Sequence, residues 1–134
     1  QQANVRMVSG TLSEQIRFAR EVKIHADLPN PYESGYTYFW ADNEGDIVQS
    51  SEAGSTKIII ASARDATYSL EFTIYNDGTN GDGEGDQPAT MVEFTVTSQS
   101  SQGRYELTTS VLALNFNEEI LNPISGGVLG VRRP

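Results

Sequence analysis

The sequence has no cysteine. A disulfide framework is therefore excluded, and so is any zinc centre built on thiolates. Reducing and oxidising compartments both tolerate that absence, so it does not decide location. Histidine is nearly as scarce. His25 stands alone, and any Ser-His-Asp or Cys-His mechanism would have to run through it. It falls near the end of a predicted helix, where the dipole favours a cation, so the expected role is structural. Long hydrophobic runs are missing too: no stretch nears the ~20 apolar residues of a membrane span. Basic residues are few. Nine Lys and Arg face 18 Asp and Glu, for a formal net charge of -9 and a pI near 4.4. Such a chain is repelled by nucleic acid and by anionic membranes, and no nucleic-acid partner is expected. No Walker loop, dinucleotide fingerprint or His-Glu-x-x-His pair occurs. Asn76-Asp77-Gly78 and Asn80-Gly81 read as turn formers rather than phosphate cradles. No catalytic residue is therefore assigned, and the chain does not read as an enzyme.

What is present begins with one amphipathic pattern. Val5, Val8, Leu12, Ile16, Ala19, Val22 and Ala26 recur at spacings of three and four, which predicts a helix over about residues 2–26. It would be roughly 36 Å long, enough to serve as the spine of a small domain. Gly10 interrupts it at a cost of about 1 kcal/mol relative to Ala. Thr11 and Glu14 form a capping-box pattern beside it, so a kink at Gly10 is expected. Arg6, Glu14, Arg17, Arg20, Glu21 and Lys23 would make a mixed-charge face opposite the apolar stripe, free to meet neighbouring molecules as an assembly face.

Leu28-Pro29-Asn30-Pro31 then stops the helix and holds an extended linker. Residues 36–41 are aromatic and β-prone, 46–49 return as a short strand, and 57–61 are apolar on both faces, as a covered strand would be. Residues 67–75, 92–97 and 105–115 alternate apolar with polar, and 128–131 could add a short final strand. Consecutive strands joined this way pair antiparallel. At 134 residues the chain reads as one domain. Its expected class is α+β: a long N-terminal amphipathic helix packed on an antiparallel β-sheet spanning about 36–132. Leu12, Ile16, Val22, Leu70, Phe72, Phe94, Leu107 and Val111 are the expected core.

With that order in place the chain resembles the type IV pilins and pseudopilins. The run Tyr105-Glu106-Leu107-Thr108-Thr109-Ser110-Val111-Leu112-Ala113-Leu114-Asn115 looks like the late strand of pilin-like proteins of the Gram-positive kind. Leu12-Ser13-Glu14-Gln15-Ile16-Arg17-Phe18-Ala19-Arg20-Glu21 is similar to the second half of their first helix. The resemblance implies a structural subunit, major or minor, of a type IV pilus or a type II secretion-like filament. It implies a bacterial cell-surface location, with membrane anchoring before assembly. Its partners would be copies of itself and other pilins. The family's apolar first half-helix, with its glutamate and processing site, is expected upstream of Gln1. Without that half the chain is expected to be a monomer.

Two stretches carry candidate chemistry. Asp77, Asn80, Asp82, Glu84 and Asp86 sit in a glycine-broken loop, and oxygen ligands on a flexible backbone are what calcium requires. Counted from Asn80 as an EF-hand, however, the twelfth position is Met91, so the motif is incomplete; the plainer reading is a solvated hairpin loop. On the first strand Tyr36, Tyr38 and Trp40 share a face. An exposed aromatic ladder could stack on sugar rings, but strand aromatics more often pack a sheet against its helix. These stretches motivate the alternative function, an extracellular sugar- or calcium-dependent adhesin module.

Overall fold

The computed structural model describes residues 2–51, 55–62, 66–79, 88–114 and 120–133. Among the described residues one helix, α1 (Gln2–Arg17), precedes nine strands: β1 (Glu21–His25), β2 (Tyr36–Ala41), β3 (Ile47–Ser50), β4 (Lys57–Ile60), β5 (Ala66–Thr79), β6 (Pro88–Ser100), β7 (Gly103–Leu112), β8 (Ile124–Gly126) and β9 (Val128–Arg132). They form two antiparallel sheets. Sheet A runs β1-β9-β2-β3-β4, and sheet B runs β7-β6-β5-β8.

This corrects the expected architecture of a long helix on a single sheet. The helix has 16 residues, and most of the chain is strand in two sheets. The departure begins after Arg17. The Phe18 amide still donates to the Glu14 carbonyl, but the Ala19 amide reaches only the Ile16 carbonyl, which tightens the last turn. The Arg20 amide then donates to the Arg132 carbonyl at 2.6 Å, handing the backbone to β9. From there Val22 and Ile24 are buried, with Glu21, Lys23 and His25 between them only half-buried. That is period two, carried by two β-branched residues. Ala19, Val22 and Ala26 also satisfy helical spacing, so the pattern alone fits both. The ladder from Glu21↔Arg132 to His25↔Val128 decides it.

β9, expected as a short terminal addition, lies inside sheet A between β1 and β2. The most distant parts of the sequence thereby meet. β4, expected as a covered strand, is an edge with Ile58 exposed. The β5-β6-β7 meander has the expected alternation, in register from Ala66↔Ser100 to Asn76↔Thr90 and from Met91↔Leu112 to Ser100↔Gly103.

The core lies between sheet B and a second layer made of sheet A and α1 side by side. Sheet A covers the β5 half, and α1 covers β6 and β7. Val5, Val8, Leu12 and Ile16 are each 0% exposed. Facing them are Val92, Phe94, Val96 and Val111, while Phe39, Leu129 and Val131 come from sheet A. Phe72 and Phe94 pack tilted at 6.1 Å between centroids, a favourable geometry for their ring quadrupoles. Of the expected core, only Leu107 is merely half-buried. Polar ties fix the helix: Asn4 donates to the Tyr68 hydroxyl at 3.1 Å, and Ser9 and Thr109 share a hydrogen bond at 3.0 Å. Among the described residues no helix is long and apolar enough to cross a membrane.

Candidate functional site

The outer face of sheet A carries the most concentrated chemistry. Alternation along β2 sends Phe39 inward and Tyr36, Tyr38 and Trp40 outward. Tyr36 and Tyr38 are nevertheless 1% and 0% exposed. The linker of residues 26–35 folds back over them, not the helix. Tyr32 packs on Tyr38 at 5.0 Å between ring centroids, and the Glu33 amide donates to the Tyr38 hydroxyl at 3.1 Å. The Tyr36 hydroxyl donates to the Glu21 carboxylate. Lys23 lies 5.2 Å over the Tyr36 ring and pairs with Glu33 at 2.9 Å, a cation–π and ion-pair clasp. Gly130 on β9 is required beneath: a Cβ there would stand 2.9 Å from the Tyr38 ring.

The charges in this clasp follow from contact. The Lys23 ammonium is held above its usual pKa, chiefly by its hydrogen bond to Glu33. Burial raises the Tyr36 phenol well above its ordinary value, and the hydrogen bond to Glu21 adds to the shift. His25 is pushed below its usual value by burial and then by the Lys23 charge. Its Nε2 is buried with no hydrogen-bond partner among the described residues, so the neutral imidazole is favoured.

Trp40 differs from the two tyrosines. The linker leaves it half-buried, beside a cleft of about 280 Å³ lined by Asp27, Leu28, Asp42, Asn43 and Val128. A larger groove, about 650 Å³, runs between the open edges of β1 and β8. It is walled mainly by Ile24, Ile74, Ile120, Leu121 and Ile124, and Leu121 is 83% exposed.

The helix presents a second surface. Ala3, Met7, Gly10, Glu14 and Phe18 are all exposed, with Met7 at 48% and Phe18 at 53%. Their spacings are four, three, four and four. At about 100° per residue they form one seam roughly opposite the buried stripe. A Cβ added at Gly10 would meet nothing within 4 Å, so the seam is open there.

The six residues of the expected assembly face divide between two elements. Arg6, Glu14 and Arg17 lie exposed on α1, and Arg20 is exposed in the bend after it. Glu21 and Lys23 lie on β1, turned into the aromatic clasp. Of the expected calcium loop, Asp77 is exposed near the end of β5, while Asn80, Asp82, Glu84 and Asp86 lie outside the described residues. Among the described residues no group of three or more His, Cys, Asp or Glu could hold a metal. Sequence reasoning missed the covering role of Tyr32 and Glu33. The available signal was an aromatic and an acid placed just after the proline pair.

No protein-family model, curated protein or solved structure matches this chain.

Proposed function

We propose that the chain is the solvent-facing domain of a filament subunit of the type IV pilin or pseudopilin kind. The observation that carries this reading is the two-sided helix. One seam of α1 is fully committed to its own domain through Val5, Val8, Leu12 and Ile16. The opposite seam leaves Met7 and Phe18 exposed, with Ala3 and Gly10 small enough to let another helix approach closely. Apolar and small residues at heptad-like spacing are what helix-to-helix contact between subunits uses. The resemblance of residues 105–115 to the late strand of pilin-like proteins points the same way. So do the Ser, Thr and Glu side chains on the outer face of sheet B, which suit a filament exterior in water. In this reading an apolar segment upstream of Gln1 anchors the subunit in the membrane and then packs in the filament core. The partners are copies of the chain and related subunits at the cell surface.

The test is substitution at Gly10 in the full-length protein. Gly10→Ala should leave the domain folded and stabilise it by up to about 1 kcal/mol, because the helix loses its weakest residue. Gly10→Trp should also leave the domain folded while abolishing the filaments seen by immunogold microscopy. The 134-residue chain alone should stay monomeric in light scattering at micromolar concentration. A cytoplasmic label, or filaments unaffected by Gly10→Trp, would overturn the assignment.

A further inference from the structure

The geometry points to the Trp40 cleft as a binding site for a pyranose ring, neutral or amino-substituted. Trp40 is the third rung of a ladder whose other two rungs are sealed beneath the linker, yet it stays half-buried. It is also held in place, packed with Leu28 against the cluster of Tyr36, Tyr38 and Val128. A fixed indole plane, partly open to water, offers the apolar face on which the C–H face of a sugar stacks.

Polar groups surround that plane. Asp27, Asp42 and Asn43 line the same cleft. Asp42 is fixed by its own turn, its Oδ1 accepting from the amides of Glu44 and Asp46, each at 3.0 Å. The Asp27 and Asn43 side chains are exposed and make no hydrogen bond among the described residues. Planar carboxylates and amides offer paired acceptors and donors suited to adjacent hydroxyls. The volume, about 280 Å³, lies just under the range of sites for drug-sized ligands, which suits a single ring. Two carboxylates at the rim repel an acidic sugar and favour an amino sugar.

This inference stands apart from the filament reading. Trp40 is the only tryptophan, so tryptophan emission, excited selectively over the tyrosines, reports on this cleft. Titration of the whole chain with glucose, galactose, mannose and glucosamine should give a saturable emission change with at least one of them. Glucuronic acid should give none. By saturation-transfer NMR, Asp27→Ala and Asn43→Ala should each weaken binding about tenfold. Trp40→Ala should remove binding, and circular dichroism checks each fold. Tri- and tetrasaccharides of the responding sugar separate two sources: tighter binding means a glycan, and equal binding means a free sugar. The inference fails if no sugar saturates the signal, or if folded Asp27→Ala and Asn43→Ala bind as well as the parent.

Discussion

Sheet A turns Tyr36, Tyr38 and Trp40 outward from β2, whereas sheet B turns Glu93 and Thr95 outward from β6 and Arg104, Glu106, Thr108 and Ser110 outward from β7. Both faces border water, and they are completed differently. On sheet B the polar side chains satisfy one another: across strands Thr95 meets Thr108 at 2.8 Å and Thr73 meets Ser125 at 2.8 Å, and along β7 Arg104 meets Glu106 at 2.6 Å. No covering segment is needed. On sheet A the aromatic ladder would leave a large apolar patch, and the linker is drawn over it to form a second, smaller core. An outer face can thus be closed by composition or by chain. Only the second choice leaves a boundary where cover ends, and Trp40 stands at that boundary.

The largest effects should come from the two cores. Phe72→Ala, between the sheets, should cost about 3–5 kcal/mol, and Tyr38→Ala, under the linker, about 3 kcal/mol, both measured by urea unfolding. The difference between them lies in what opens. Tyr38→Ala should speed proteolysis within residues 26–35 before global unfolding, whereas Phe72→Ala should act only through global stability. Uniform cleavage kinetics in both variants would mean that the outer cluster is not a separate unit.

A smaller effect isolates the clasp itself. Tyr38→Phe keeps the ring but leaves the Glu33 amide without its acceptor, and should cost about 1 kcal/mol.

His25, at the margin of the same cluster, gives that face a pH dependence. Its folded pKa lies below the ordinary value of 6.5. The unfolded chain therefore binds more protons at mildly acidic pH. Stability should fall as the pH drops through about 6.5 toward the folded value, and should be insensitive to this group above about 7.5. Thermal melts across that window, repeated with His25→Asn, are the check; the variant should lose part of the acid-induced decline. An unchanged decline would remove His25 as its source.

The smallest effect belongs to the uncovered face. Thr95→Ala should shift stability by about 0.5 kcal/mol or less, since its hydrogen bond to Thr108 is exposed and water can replace it. A cost near that of Tyr38→Phe would show that sheet B's outer face is also a cooperative unit.

Much of this was legible from period and residue type. The alternation in Tyr68, Leu70, Phe72 and Ile74 and in Val92, Phe94 and Val96 specified two strands and the face each buries. The stripe Val5, Val8, Leu12 and Ile16 specified the helix. Legibility ended where one pattern served two structures. Ala19, Val22 and Ala26 continue the helical spacing while Val22 and Ile24 alternate, and no local signal chooses between the two patterns. The face of Tyr36, Tyr38 and Trp40 was readable, but the material that covers it was not. The cover is a linker without hydrophobic periodicity, whose aptness appears only when Tyr32 and Glu33 reach Tyr38.

By itself the sequence determined which residues avoid water and with what local period, because burial of an apolar face is written into spacing along the chain. It also determined the acidic balance and the polar exterior of sheet B. Tertiary structure decided what each face is buried against. β9 enters sheet A between β2 and β1, and its partners on β1 lie more than a hundred residues away in sequence. Its ladder turns the end of a helical pattern into a strand. That choice rests on hydrogen bonds between segments distant in sequence, whose free energy depends on where both lie in space.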